Sequence, residues 1–298
     1  MKILNFGSLN IDYVYDVPHF VTAGETINSF GRNIFPGGKG ANQSIALAKA
    51  GAEVYHAGSI GFDGDILLSS LLSGGVHTDY IKKLADIPSG HTIIQVDPNG
   101  QNCIIVYGGS NREISEHQID RTLSFFEAGD FLVLQNEINN ISYLMTLASQ
   151  KGIRIVLNPS PIDDSIFSLP LDLVDFLVVN EIEGALIAGV KENSEILPAL
   201  AVKYPRAKVL LTLGSDGAQY FDGNQTFSQP IFPVKVVDTT AAGDTFLGYF
   251  IAATAKGIAP QQALRRAARA SSIAVSQKGA ASSIPTLNDV LSAEETVK

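Results

Sequence analysis

The sequence predicts a three-layer α/β/α fold with a mostly parallel central sheet and a small β-sheet lid. Short apolar runs alternate with helical patterns along most of the chain, which is typical of βαβ units and of a sheet covered on both faces. Two pairs of strand-like segments have no helix between them, so crossover connections cannot add them to a parallel sheet. We therefore predict that these pairs form a separate, smaller sheet.

The elements of the main sheet follow in a regular order. A first strand is predicted at residues 3–7, a helix of small and apolar residues at 40–50 that stops at Gly51, and a second strand at 53–59. The remaining predicted strands are 131–135, 153–157, 176–179 and 208–213, with helices at 141–150 and 181–188. The C-terminal third is predicted to be helical at 245–256, at 260–277 and after Pro285.

The second sheet is predicted from segments 13–17, 26–35, 92–96 and 103–107. The last two flank Asp97-Pro98-Asn99-Gly100, a strong signal for a hairpin turn. We expect one domain over residues 1–298, with a lid or an interface formed by about 11–35 and 91–109.

The composition limits the classes of function. A net charge of −9 argues against binding to nucleic acid, since phosphate backbones select basic surfaces. No apolar run approaches the roughly 20 residues of a membrane span, and residues 1–6 have a strand pattern rather than that of a signal peptide. The single cysteine, Cys103, excludes an internal disulfide and a multi-cysteine metal site. We therefore expect a cytoplasmic enzyme that binds no membrane.

A loop of small residues at 237–246 is the most informative segment. It leads directly into an apolar helical run, so successive backbone N–H groups and the positive end of a helix dipole meet in one place. Such a nest binds anions, and Asp244 stands at its edge. A base beside a phosphate cradle is what phosphoryl transfer to a hydroxyl requires. The alternative is that Asp244 only caps the helix, as aspartate commonly does.

Two further clusters place polar side chains at a strand end or among glycines. Asn10 and Asp12 follow the first strand, where ligands bind in open α/β sheets, and their spacing of two points both side chains the same way. They could hold adjacent hydroxyls of a polyol, or belong to an ordinary polar loop. The run Gly37-Gly38-Lys39-Gly40 favours close backbone approach to a ligand, and Asn42 could cap the next helix or bind a hydroxyl.

Asn180 and Glu183 follow the apolar strand at 176–179. Their i, i+3 spacing is that of a capping box at the start of a helix. Alternatively, Glu183 holds a hydrated Mg²⁺, which needs few protein ligands. Both interpretations stay open at this point.

In combination, these motifs resemble the ribokinase-like carbohydrate kinases, the PfkB family, over residues 7–285. The similarity is greatest to the ribokinases of that family. Each short motif is weak alone, but six of them occur in the family's order: residues 7–12, 23–26, 37–43, 180–183, 212–215 and 238–246.

The resemblance implies roles for individual positions. Asp244 matches the catalytic base, and the backbone amides from Ala241 through Ala242 and Gly243 to Asp244 match the anion hole. The sugar-binding positions correspond to Asn10, Asp12, Gly38, Lys39, Asn42 and Glu137, together with Asp244. The nucleotide positions correspond to Asn180, Thr212, Gly214 and Gly243, and Glu183 matches the acidic residue linked to Mg²⁺. A site for a monovalent cation, expected to be K⁺, corresponds to Asp238, Thr240, Ala274, Gln277, Gly279 and Ser283.

These roles imply a kinase that uses ATP to phosphorylate the primary hydroxyl of a small sugar, with D-ribose giving ribose 5-phosphate. The lid residues Phe35, His91 and Gln95 depart from the family pattern, so fructose, deoxyribose, adenosine and pseudouridine are alternative acceptors. A non-catalytic sugar-binding regulator is a further alternative, although such a protein could lose Asp244 without penalty. A dehydrogenase is excluded because the first βα turn lacks the dinucleotide-binding glycine pattern. The resemblance also implies a homodimer formed through the lid.

Overall fold

The computed structural model describes residues 1–295 and contains two β-sheets, the larger of which is covered by helices on both faces. The strands in chain order are β1 (Ile3–Phe6), β2 (Asn10–Asp16), β3 (Gly31–Gly37), β4 (Val54–Ile60), β5 (His77–Lys83), β6 (Gly90–Val96), β7 (Asn102–Tyr107), β8 (Phe131–Gln135), β9 (Arg154–Asn158), β10 (Phe176–Asn180), β11 (Lys208–Thr212), β12 (Ala218–Phe221) and β13 (Thr226–Gln229). The α-helices are α1 (Lys39–Lys49), α2 (Asp65–Ser73), α3 (Glu116–Leu123), α4 (Ile141–Gln150), α5 (Glu181–Ala188), α6 (Asn193–Lys203), α7 (Ala242–Ala255), α8 (Pro260–Val275) and α9 (Leu287–Glu295). Single 3₁₀ turns lie at Gly109–Arg112, Asp164–Ser168, Leu171–Leu173 and Gly214–Asp216.

The main sheet has nine strands in the order β13-β12-β11-β10-β9-β8-β1-β4-β5. Neighbouring strands from β11 to β5 are parallel, whereas β12 and β13 extend one edge as an antiparallel pair. The predicted three-layer fold with a mostly parallel sheet is therefore confirmed. The carboxyl ends of the parallel strands lie along one edge, which is where ligands bind in open α/β sheets.

Two hydrophobic clusters pack on opposite faces of this sheet. Successive residues of a strand point to opposite faces, so Ile3 belongs to one cluster and Leu4 to the other. The first cluster packs against α1, α2, α7, α8 and α9, and the second against α3 to α6. Because both faces are buried, the central strands consist of continuous apolar runs, and these runs made them predictable.

The smaller sheet has four strands in the order β3-β2-β6-β7. One of its two edge strands, β7, is exposed along its whole length. In the predicted turn before it, the Gly100 N–H donates to the Asp97 carbonyl at 3.0 Å. The separate sheet is thus confirmed, while its action as a lid stays a prediction. The expected domain extends to residue 298, and residues 296–298 lie outside the part that the structure describes.

Some predicted boundaries were wrong. β2 begins at Asn10 because it is paired on both sides from that residue onward, so Asn10 and Asp12 lie in a strand. Residues 26–30 are not strand, since the β2–β3 ladder starts only at Gly31. α7 begins at Ala242 instead of residue 245. α8 ends at Val275 instead of residue 277, because the Val275 carbonyl accepts from the loop before α7.

None of the helices within residues 1–295 combines the length and the apolar character needed to cross a bilayer.

Candidate active site

The loop before α7 forms the expected nest of backbone N–H groups. Ala241 adopts a left-handed conformation, with φ 59°, which turns the chain into the helix. The Ala242 N–H donates to the Thr239 carbonyl at 3.2 Å, but no residue within 1–295 accepts from the N–H groups of Ala241, Gly243 or Asp244. A Cβ added at Gly243 would meet no atom within 4 Å. The nest is therefore open and has donors available for an anion.

Asp244 is the third residue of α7 and its side chain is turned away from the N–H groups of its own helix. It is only 7% exposed, and its carboxylate accepts from Gln43 Nε2 at 2.9 Å and from Asn42 Nδ2 at 3.2 Å. The N-cap residue of α7 is Ala241, which makes no side-chain cap bond. The interpretation of Asp244 as a simple helix cap is therefore wrong. Its oxygens face α1 beside the open nest.

Close packing of α7 on α1 brings these groups together. A Cβ added at Gly248 would lie 2.4 Å from Ala46 Cβ and 2.9 Å from the Leu47 nitrogen, so only glycine permits this approach. The two helices carry Asp244 on one side and Asn42 with its neighbour Gln43 on the other.

Asn10 and Asp12 lie at the root of the smaller sheet, close to the carboxyl end of β1. Asn10 is buried, and its Oδ1 accepts from Asn111 Nδ2 at 2.8 Å, which leaves its own amide N–H groups without an acceptor among residues 1–295. Asp12 Oδ1 accepts from Thr92 Oγ1 at 2.7 Å. Burial raises the pKa of Asp12, and the bond from Thr92 lowers it by less. Both side chains thus retain polar atoms for a ligand.

Glu137 and Lys39 lie close to Asp244. The Ser8 hydroxyl and the Lys39 backbone N–H both donate to Glu137 Oε2, the latter at 3.3 Å. Burial raises the pKa of Glu137. Burial also lowers the pKa of Lys39, but the carboxylates of Asp244, Glu137 and Glu183 raise it by more, so the net shift is upward. A charged Lys39 with no ion pair inside residues 1–295 is free to attract a phosphate.

Two buried amide oxygens near Asp244 have no hydrogen-bond partner, Gln135 Oε1 and Asn42 Oδ1. Asn42 is 7% exposed, and while its Nδ2 donates to Asp244, its Oδ1 accepts no hydrogen bond. A buried unpaired carbonyl is costly, so it indicates a missing donor. A sugar hydroxyl placed between Asn42 and Asp244 would supply that donor. Of the two interpretations of Asn42, this geometry favours hydroxyl binding over helix capping, because the N-cap of α1 is Gly38.

The expected nucleotide positions lie at the ends of β10 and β11. Asn180 is paired in register with Thr212, and Gly214 follows with φ 53°. Asn180 and Glu183 form a capping box, with bonds of 2.8 and 3.1 Å, so the capping interpretation of this pair is confirmed. Glu183 Oε1 takes no part in the capping box.

The residues expected to bind a monovalent cation are brought together only in part. Asp238 accepts from the N–H and hydroxyl of Thr240 at 2.9 and 2.6 Å, and from the Gly279 N–H at 2.9 Å. Burial raises the pKa of Asp238, but these bonds outweigh it, so the pKa is lowered. The Gln277 N–H donates to the Ala274 carbonyl at 3.1 Å. The hydroxyl of the remaining residue, Ser283, bonds only the Ala280 carbonyl, at 2.9 Å.

Known proteins are similar to this chain over nearly its whole length. The model of the pfkB family of carbohydrate kinases matches residues 1–287. The chain belongs to this family. It is 36% identical to the ribokinase of Bacillus subtilis, covering 97% of this chain and 98% of that protein. It is 30% identical to the deoxyribokinase of Salmonella typhi, covering 99% and 100%. The structure of Arabidopsis thaliana ribokinase with ribose and ATP matches with a TM-score of 0.87 at 32% identity, covering 98% and 97%.

Several polar residues of this carbohydrate kinase were missed by the sequence analysis. Gln43, Gln135, Asn5 and Asn158 are linked by hydrogen bonds beneath Asp244, and the first three are fully buried. Gln135 and Asn158 are the last residues of β8 and β9, the same kind of position that drew attention to Asn10. A buried amide at the carboxyl end of a parallel strand was the available signal.

His56 is fully buried, and its ring links α1 to the residue that follows β1. Its ring bonds the Ser44 hydroxyl at 2.8 Å and the Gly7 carbonyl at 3.3 Å, and burial lowers its pKa to about 4. The unfolded chain therefore takes up a proton near pH 6.5, and the folded chain only near pH 4. We expect the free energy of unfolding to fall by up to roughly 3 kcal/mol between these values.

Urea unfolding at several pH values between 7 and 4 measures this effect. The variant His56→Gln should lack this part of the pH dependence, whatever its stability at pH 7. Parallel stability curves for the two proteins would contradict the prediction.

Proposed function

We propose that this kinase transfers the γ-phosphoryl group of ATP to the primary 5-hydroxyl of D-ribose. The ribokinase of Bacillus subtilis and the Arabidopsis structure with ribose and ATP support this acceptor. The observation that carries the proposal is the buried carboxylate of Asp244, which lies between an open anion nest and the unpaired carbonyl of Asn42.

The reaction follows from this arrangement. Asp244 takes the proton of the 5-hydroxyl while the ribose oxygen forms a bond to the γ-phosphorus. The bond between that phosphorus and the bridging oxygen breaks, and the electron pair leaves with ADP. The free N–H groups of Ala241, Gly243 and Asp244, together with the dipole of α7, stabilise the charge on the transferring group.

The acceptor would be held by Asn10, Asp12, Gly38, Lys39, Asn42 and Glu137. Several of these side chains are buried and keep donors or acceptors for ring hydroxyls. Closure of the smaller sheet over the site would exclude water, which competes with the sugar as nucleophile.

The nucleotide would lie along Asn180, Thr212 and Gly214, with its terminal phosphate at Gly243. When bound with ATP, Mg²⁺ would neutralise negative charge on the phosphates during the transfer. Glu183 keeps one carboxylate oxygen outside its capping box, which suits a metal ion that retains most of its water ligands.

A monovalent cation, K⁺, is proposed at Asp238, Thr240, Ala274, Gln277, Gly279 and Ser283. The atoms that would bind the cation are carboxylate, hydroxyl, amide and backbone carbonyl oxygens, the ligands that hard cations prefer. The Asp238 carboxylate already accepts three hydrogen bonds, so its part would be to order the loop before α7. Backbone carbonyls would then be the main ligands of the cation.

We also propose that two copies associate through the smaller sheet in the cytoplasm. Its outer strand exposes Ile104, Ile105 and Val106 beside Tyr107, an apolar edge typical of strand pairing or protein contact. A mass in solution equal to one chain at micromolar concentration would contradict the dimer. The exposed thiol of Cys103 fits a reducing compartment.

The similarity to the deoxyribokinase of Salmonella typhi favours 2-deoxyribose as a second candidate acceptor. We expect kcat/KM to be highest with D-ribose, because each missing hydroxyl leaves a buried polar group of the site unpaired. ADP release measured with ribose, deoxyribose, fructose, adenosine and pseudouridine, with and without K⁺, tests the proposal. A higher kcat/KM with another acceptor would reassign the substrate. No turnover with any acceptor would favour the sugar-binding regulator.

A further inference from the structure

A chain of buried amides lies directly behind Asp244. Gln43 Nε2 donates to Asp244 Oδ1 at 2.9 Å and to Asn158 Oδ1 at 3.0 Å. Gln43 Oε1 accepts from Gln135 Nε2 at 2.7 Å. Every polar atom of the fully buried Gln43 side chain is therefore engaged.

The neighbours of Gln43 fix which end of its amide faces Asp244. Gln135 presents its NH₂ group to Gln43 because the same nitrogen also donates to Asn5 Oδ1 at 3.0 Å. Asn5 in turn donates to the Gly40 carbonyl at 3.0 Å. Since Gln43 receives a donor at its oxygen, its nitrogen has to point at Asp244.

The other branch imposes the same orientation. Asn158 Nδ2 donates to the Val178 carbonyl at 3.0 Å, which leaves its oxygen to accept from Gln43. Glycine makes room for the network, because a Cβ at Gly7 would lie 2.3 Å from Gln135 Oε1. The network is thus anchored to two backbone carbonyls, those of Gly40 in α1 and Val178 in β10, which do not move with side-chain rotation.

We propose that Gln43 is a positioning residue for the proposed base Asp244. Its amide holds Oδ1 of Asp244 and leaves Oδ2, the oxygen nearest Asn42, to receive the proton of the acceptor hydroxyl. This inference rests on the proposed function. It adds a residue to which the sequence analysis gave no role, and it assigns different tasks to the two carboxylate oxygens.

The physical effect is on orientation. Without the Gln43 N–H bound to Oδ1, the Asp244 carboxylate can rotate about its χ angles. Its Oδ2 then no longer lies in position to take the proton of the acceptor hydroxyl. Small misplacements of a reacting group are costly in rate, whereas binding of ATP and sugar depends on other residues. Removal of the Gln43 amide should therefore change kcat more than KM.

The test is Gln43→Met, which keeps the length of the side chain and removes both hydrogen-bonding ends. We expect kcat to fall on the order of 10- to 100-fold, with little change in KM for ATP or ribose. The same substitution in the Asp244→Asn background should cause no further fall, because Gln43 acts only through Asp244. An unchanged kcat, or an equal fall in both backgrounds, overturns the proposal.

Gln118→Met is the matched control. Gln118 also lies on a helix and bonds through both ends of its amide, to Ser59 and to the Gly58 carbonyl, but it makes no hydrogen bond to Asp244 or to the amides behind it. Its loss should lower stability without lowering kcat. If Gln43→Met does not fold, Gln135→Met decides by the same criteria, with a smaller expected fall. Normal turnover by Asp244→Asn itself would refute the proposed base, an outcome distinct from failure of the Gln43 proposal.

Discussion

Replacement of Asp244 by asparagine is expected to lower kcat for ribose phosphorylation by about 10²–10⁴. Asparagine preserves the size of the side chain and can still bond the amide of Gln43 or Asn42, but it cannot take a proton from the acceptor hydroxyl. The anion nest consists of backbone N–H groups and is unaffected, so KM for ATP should change little. Steady-state rates of ADP release with saturating ribose measure the effect.

The chain contains a matched control for this substitution. Asp289 is also the third residue of a helix, α9, but its carboxylate accepts from the N–H and hydroxyl of Thr286 at 2.8 and 2.7 Å. It thus forms a reciprocal capping box with Thr286, the residue before the helix. Asp289→Asn should leave kcat unchanged. Near-normal turnover by a folded Asp244→Asn enzyme would show that another group removes the proton.

The comparison of these two aspartates shows what sequence can and cannot establish. Both occupy the same helical position, and capping preferences apply equally to both. Asp244 differs only because α1, about 200 residues away in sequence, supplies two amides across the site. That contact is tertiary, and no local pattern encodes it. The preceding loop of small residues and the family motif at residues 238–246 were the sequence features that separated the two.

The same distinction explains which elements of the fold were predictable. β8 and α4 were predicted with the right bounds, because a run buried on both faces or an amphipathic period is a local signal. The edge strands β5 and β13 were missed, and so was the short strand β12 between β11 and β13, since all three carry polar residues and gain their structure from pairing with other strands. α6 was missed as well, and it contains Pro198, which ordinarily argues against a helix.

The buried amides behind Asp244 were missed for a related reason. A glutamine within an apolar helix pattern, such as Gln43, is as consistent with a partly exposed position as with a buried one. The role of Gln43, which lies on α1, depends on Gln135 from β8 and Asn158 from β9. Only the assembled sheet brings these three side chains together.

The second large effect is expected from Gly248→Ala, a change in the middle of α7, about one helical turn beyond Asp244. The added Cβ would lie 2.4 Å from Ala46 Cβ, whereas carbon atoms in contact are about 3.5–4.0 Å apart. The two helices therefore have to separate by about 1 Å, which also separates Asp244 from Asn42 and Gln43. We expect kcat to fall by about 10²-fold and stability to fall by about 1–3 kcal/mol.

A second substitution separates this cause from a general loss of stability. Ala46→Gly in the Gly248→Ala background removes the atom nearest to the new Cβ, but the Leu47 nitrogen stays 2.9 Å away, so relief should be partial. Glycine has a lower helix propensity than alanine, so Ala46→Gly weakens α1 and cannot restore kcat by raising stability. Recovery of kcat in the double variant would therefore show that the spacing of α1 and α7 controls turnover. A normal kcat in Gly248→Ala alone would instead mean that the helices accommodate the methyl group without displacing Asp244.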